Sequence, residues 1–128
     1  MRYIKSHKVE GAATEIDILV TDEPGHGGAN HSYLIHGFEE ENNPSLILGH
    51  DGIQILFQNG PVGESGMNGL TNESLIAVVI DRLEGFQSGP YACEDNQEAL
   101  LSLYQAMLAL QRRTVERVAR QVEGTSQK

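Results

Sequence analysis

At 128 residues and 14.0 kDa the chain has room for one domain with a sizeable core and not for two. Hydrophobic residues make up 39%, and the 14 glycines bring the apolar fraction to about half, which argues against disorder of the whole chain. A net charge of −9 repels polyanions and argues against general binding to DNA, RNA or an anionic membrane surface. Apolar runs such as Leu75–Ile80 fall far short of a membrane span, and Met1–Gly11 carries charges where a signal peptide needs an apolar region, so the expectation is a soluble, unsecreted protein. Cys93 is the single cysteine and has no partner within the chain, which points to a reducing compartment, the cytosol.

In chain order, Ile16, Ile18 and Val20 alternate with Glu15, Asp17 and Thr21, the period of a half-buried strand, with Leu19 the exception. Asp22–Asn30 holds Pro24, Gly25, Gly27 and Gly28 and is irregular, and His31–Phe38 reads as a second strand. Glu39–Pro44 is a solvated loop. Leu46–Leu48 and Ile53–Gln58 flank Asp51-Gly52, which suits a tight hairpin turn. Gly60, Pro61, Gly63, Gly66 and Gly69 then mark a loop or extended crossover. Thr71 offers an N-cap to a helix carrying Leu75, Ile76, Val79, Ile80, Leu83 and Phe86 and stopped by Gly89-Pro90. A second helix begins near Cys93, where Glu94 and Asp95 complement its dipole, and runs through Leu100, Tyr104, Met107, Gln111, Val115, Val118 and Val122 to Gly124. The expected fold is therefore α+β: an N-terminal small antiparallel sheet over about 15–58, a Gly-rich crossover over 59–70, and a C-terminal two-helix hairpin over about 71–124. The seam of the second helix is longer than a lone small domain needs, which predicts packing against a partner, most economically a second copy.

Charge is distributed unevenly. Residues 1–111 hold 4 Lys and Arg against 16 Asp and Glu, net −12, whereas residues 112–128 hold 5 against 2, net +3. Arg113, Arg117 and Arg120 share one helical face, with Glu116 able to neutralise one of Arg112, Arg113 or Arg120. Such a face is either a solvated basic helix end or a clamp for a compact anion, since a guanidinium fork meets two phosphate oxygens at once. His26, His31, His36 and His50 invite a metal, but an odd strand separation sends His31 and His36 to opposite faces and neither a cysteine nor clustered carboxylates complete a set, so no metal site is expected. Gly25-His26-Gly27-Gly28 lacks the Lys and the helix of a phosphate loop. Cys93, Tyr33, Phe38, Phe57 and Phe86 read as core, with Phe86 the one open to question because the Gly85–Pro90 turn could place it at a helix end facing the basic stripe. The motifs contain no nucleophile setting and no acid–base pair.

The segments Phe57-Gln58-Asn59-Gly60-Pro61, Asn68–Glu73, Asp81–Gln87, Ala92–Asn96 and Arg112-Arg113-Thr114 with Arg117, Arg120 and Val122–Thr125 together resemble the phage Thoeris anti-defence family of the first-described type. That family is related through its helical hairpin to the anti-CBASS cyclic-nucleotide sponge. The resemblance covers about residues 57–125, and Thr21–Gly25 with Gly28–His31 also resembles N-terminal regions of such proteins. It implies an oligomeric anti-defence protein of the infected bacterial cytoplasm that captures cyclic ADP-ribose isomers, and in some members cyclic di- or trinucleotides, without cleaving them and without a cofactor. By matching positions it implies that Phe86 stacks on a base, that Asn96 hydrogen-bonds base or ribose, and that Arg113 and Arg117, with Arg120 beside them, grip phosphates. Gly63 stands where that family often has lysine and Gln121 where it often has glycine. Two other readings compete: a metal-dependent cyclic nucleotide phosphodiesterase using the histidines, and a protein-binding module whose arginines meet an acidic surface.

Overall fold

A computed structural model describes residues 1–12, 15–42 and 52–128 and divides the chain into two units, Met1–Gly60 and Pro61–Lys128. The boundary falls within the stretch read as a crossover.

The first unit is a four-stranded antiparallel sheet in the order β1 (Arg2–Ile4), β2 (Asp17–Val20), β3 (Ser32–His36), β4 (Ile53–Leu56). The register sets Ile18 opposite Ile4 and Ile35, Val20 opposite Tyr33, and Ile55 opposite Tyr33. Because side chains alternate along a strand, Ile4, Ile18, Val20, Tyr33, Ile35, Ile53 and Ile55 share one face. Val20 at its centre is almost fully buried, and Phe57 closes on Tyr33 edge to face at 5.7 Å. The alternation seen at Ile18 and Val20 thus selects the inward face as expected. The sequence pattern does not predict β1: three residues, Arg2-Tyr3-Ile4, followed by Lys5, carry too short a pattern, and only pairing with β2 makes them a strand. The expected strand at Leu46–Leu48, Asp51 of the expected turn, and His50 lie outside the described residues.

The second unit is helical. A single turn, α1 (Val62–Ser65), stands inside the Gly-rich stretch that the sequence assigns to a loop. α2 (Asn72–Gln87) begins at Thr71, whose side chain accepts from the Ser74 N–H while the Ser74 hydroxyl accepts from the Thr71 N–H, a complete capping box. α3 (Glu94–Ala119) begins at Cys93, where the thiol sulfur accepts from the Asn96 N–H at 3.5 Å. Cys93 is therefore an exposed helix cap and not the core residue its composition suggests; the cap position outweighs the usual burial of cysteine. Gln87 ties the two helices together, its amide donating to the Cys93 carbonyl and accepting from the Cys93 N–H, both at 3.0 Å, and reaching Gln97 at 3.3 Å. Leu100 is buried, and desolvation together with the Glu84 carboxylate of α2 pushes the Tyr104 hydroxyl above the ordinary tyrosine pKa.

α3 ends at Ala119, earlier than Gly124. The Val122 N–H bonds to the Arg117 carbonyl and the Gln121 N–H to the Val118 carbonyl, the paired bonds of a Schellman ending, with Gln121 itself in the left-handed region at φ +60°. Apolar spacing through Val122 misses this stop because the ending is set by backbone geometry rather than by polarity.

Candidate functional site

Phe86 sits in the last turn of α2, half-buried, with the Arg82 guanidinium 5.0 Å from its ring centre and the Tyr91 ring perpendicular to it at 6.4 Å. Asn96 occupies the first turn of α3, its backbone held by the Cys93 cap and its neighbour Gln97 bonded to Gln87. Phe86 and Asn96 thus lie at the same end of the hairpin, and the Gln87–Cys93 bonds fix that end. Tyr91 is three-quarters exposed beside them. Neither Arg82 nor Tyr91 was singled out from the sequence, although Arg82 and Phe86 stand at the i, i+4 spacing that brings helix side chains into contact.

The arginines lie elsewhere. Arg113 is 17 residues beyond Asn96 on the same helix, which at 1.5 Å per residue is about 25 Å along the axis. Its guanidinium is exposed and, among the described residues, has no ion-pair or hydrogen-bond partner. Arg117 is different: it is 5% exposed, and its side chain donates to the Glu123 carboxylate at 3.1 Å, the Val122 carbonyl at 2.9 Å, the Thr125 carbonyl at 3.2 Å and the Gln127 carbonyl. Its N–H donors are therefore turned to the chain's own C-terminal segment. Arg120 pairs with Glu116 at 2.5 Å and with the Lys128 carbonyl, so Glu116 neutralises Arg120 rather than Arg112 or Arg113. The same C-terminal segment is tied to α1, where the Gly63 N–H donates to the Gly124 carbonyl at 2.9 Å and the Ser126 hydroxyl meets Glu64. A Cβ on Gly63 would stand 2.7 Å from the Gly124 carbonyl oxygen, so the lysine common at this position in the resembled family could not enter without a backbone shift.

The expected set therefore divides into an aromatic and amide end, Phe86 with Asn96, and a cationic end, Arg113, Arg117 and Arg120. One chain does not bring the two together. A mononucleotide-sized ligand is smaller than the separation, so both ends could contact it only if a second hairpin ran antiparallel to the first. The outer surface of α3 suits such a neighbour: Leu101, Leu108, Val115 and Val118 are between 53% and 66% exposed, and with Tyr104 they follow the three-and-four spacing of a coiled-coil seam.

In the first unit, Asp22 organises the loop before β3. Desolvation pushes its carboxyl up, but the N–H groups of His31 and Ser32 and the Asn30 amide outweigh it and hold the group below the usual carboxylate range. His31 is 9% exposed, with Nδ1 lacking a hydrogen-bond partner and 3.9 Å from Asp22. Among the described residues no three His, Cys, Asp or Glu side chains are grouped so as to hold a metal ion. No helix of the described residues is long and apolar enough to cross a membrane.

Comparison with known proteins places residues 50–115 within the family described as the Acb2/Tad1 hairpin domain. Over 72 residues the chain is 50% identical to Thoeris anti-defense 1 of Bacillus phage SBSphiJ7, a match that takes in 56% of this chain and 51% of that protein. The chain thus matches about half the length of this curated relative.

Proposed function

The chain belongs to the Acb2/Tad1 hairpin-domain family, and from that premise we propose that it is an anti-defence protein that captures a cyclic nucleotide immune signal and holds it intact. The observation that carries this reading is the division of the hairpin into a presented aromatic ring at one end and an unpartnered arginine at the other, joined by an exposed apolar seam. Two copies packed antiparallel through the seam bring Phe86 and Asn96 of one beside Arg113 of its partner, twice per pair. In each composite site the ring stacks on adenine, the Asn96 amide meets the base or ribose, and Arg113 makes charge-assisted bonds to phosphate. Burial between copies excludes water and strengthens those bonds, which favours retention over turnover. Cyclic ADP-ribose isomers, with two phosphate charges and one purine, fit this pairing, and cyclic di- or trinucleotides extend it. Arg117 and Arg120 join the phosphate grip only by exchanging the C-terminal segment for ligand, because their donors are otherwise occupied. The ligand is met in the cytoplasm of the infected host.

The test is incubation of the purified protein with cyclic ADP-ribose isomers and cyclic oligonucleotides, removal of free ligand, heat denaturation, and mass spectrometry of what is released. An intact nucleotide in stoichiometric amount is expected. A cleaved product would replace capture with a phosphodiesterase, and an empty protein would favour the protein-binding reading.

A further inference from the structure

We propose that Arg82 is a ligand-contacting residue of the nucleotide site, supplying a phosphate-binding guanidinium at the aromatic end of the hairpin. The inference rests on the capture reading above and extends it to a residue outside the C-terminal arginine stripe. Three observations support it. The Arg82 guanidinium lies over the Phe86 ring, 5.0 Å from its centre, which puts a cation at the ring proposed to stack on the base. It is the one cation in residues 9–111, a stretch otherwise rich in carboxylates. Among the described residues it has no ion-pair or hydrogen-bond partner, so its five N–H donors are available, whereas those of Arg117 and Arg120 are directed to the C-terminal segment.

The chemistry follows from the contact. An arginine stacked on an aromatic face keeps its N–H edges directed outward, in the plane of the guanidinium, and these edges are what a phosphate oxygen pair accepts from. A ligand with a purine joined to a phosphate through one ribose places its phosphate within a few ångströms of the stacked base, which is the reach of Arg82 and not of any other cation on the same hairpin end. Tyr91 borders the same ring, perpendicular to Phe86 at 6.4 Å. Arg82 and the partner's Arg113 then approach the ligand from two chains, one cation for each charge of a pyrophosphate.

The experiment is isothermal titration of the full chain with cyclic ADP-ribose isomers at several salt concentrations, for the parent, Arg82→Ala, Arg82→Lys and Phe86→Ala. The expected result is binding by the parent, about ten-fold weaker binding by Arg82→Ala, and a shallower salt dependence for that variant because one phosphate contact is gone. Arg82→Lys should keep the salt dependence while recovering only part of the affinity, since a point charge replaces the stacked fork. Parent-like affinity for Arg82→Ala would overturn the proposal and leave capture intact. Weaker binding with an unchanged salt dependence would also overturn it, assigning Arg82 to support of the ring alone. Absence of binding by the parent would overturn the capture reading and this inference with it.

Discussion

Arg113 and Arg117 are one helical turn apart and chemically identical, yet their surroundings give them different tasks. Arg117 is buried and saturated by Glu123 and three main-chain carbonyls, so it holds the C-terminal segment against the end of α3. Its replacement by alanine should cost roughly 2–3 kcal/mol through the loss of several charge-assisted bonds, and lysine should restore little because one ammonium cannot meet four acceptors in different directions. Arg113→Ala should leave stability within about 0.5 kcal/mol, as for other exposed positions, while weakening nucleotide binding at least ten-fold. Thermal unfolding and calorimetric titration of the two variants side by side would check this; equal melting temperatures would mean that the Arg117 network contributes nothing to the fold. Gln121 offers a second test. Its φ of +60° is costly for a residue with a Cβ, so Gln121→Gly should stabilise the protein by roughly 0.5–1 kcal/mol after allowing for the greater freedom of glycine in the unfolded chain. A lowered melting temperature would contradict the left-handed ending of α3.

At the scale of elements, each end of the helical hairpin is set by short-range chemistry. The Thr71–Ser74 capping box starts α2, the Cys93 sulfur starts α3, and Gln87 bridges the turn, so the helix ends that carry Phe86 and Asn96 are fixed by these local bonds. In the sheet unit the corresponding device is Asp22. Its carboxyl is held below its unfolded value by the His31 and Ser32 N–H groups and by Asn30, so the stability it contributes is present above the ordinary carboxylate range and lost as pH falls through the folded value. Acidification from about pH 5 to about pH 3 should therefore lower the melting temperature, and Asp22→Asn should start lower at neutral pH but fall less on acidification. Identical acid profiles for parent and variant would remove Asp22 from this role.

At the scale of the whole molecule, neither unit buries much by itself. Among the described residues only Val20 and His31 in the first, and Leu100 and Arg117 in the second, are largely withdrawn from solvent. Units of about 60 residues with so little core are marginal, which favours burial against a further surface, and the α3 seam provides one. The composite site makes a specific prediction for such an assembly. Co-expressed Phe86→Ala and Arg113→Ala chains should recover one intact site per mixed pair, because the Phe86 of one variant meets the Arg113 of the other. Each variant alone should bind weakly at both sites. Titration of the mixed pair checks it: recovery of half the parental stoichiometry is expected, and no recovery would place both residues in one chain's site. Reading all 128 residues as a single folding domain is a related proposal, to be judged by whether sheet and helices unfold in one transition.

What the amino-acid order determined by itself were the features carried by periodicity and local chemistry. Alternation at Ile18 and Val20 marked a strand face, helical spacing from Leu75 to Phe86 marked α2, and Thr71 marked its start, because each depends on neighbours within a few residues. The spaced motifs also identified the hairpin family. Tertiary structure alone decided that Arg2–Ile4 is a strand, that Cys93 caps rather than fills a core, that α3 stops at Ala119, and that Arg117 is turned inward while Arg113 is free. These outcomes depend on pairing across the chain and on which donors find acceptors first, and neither hydropathy nor charge order along the sequence records that competition.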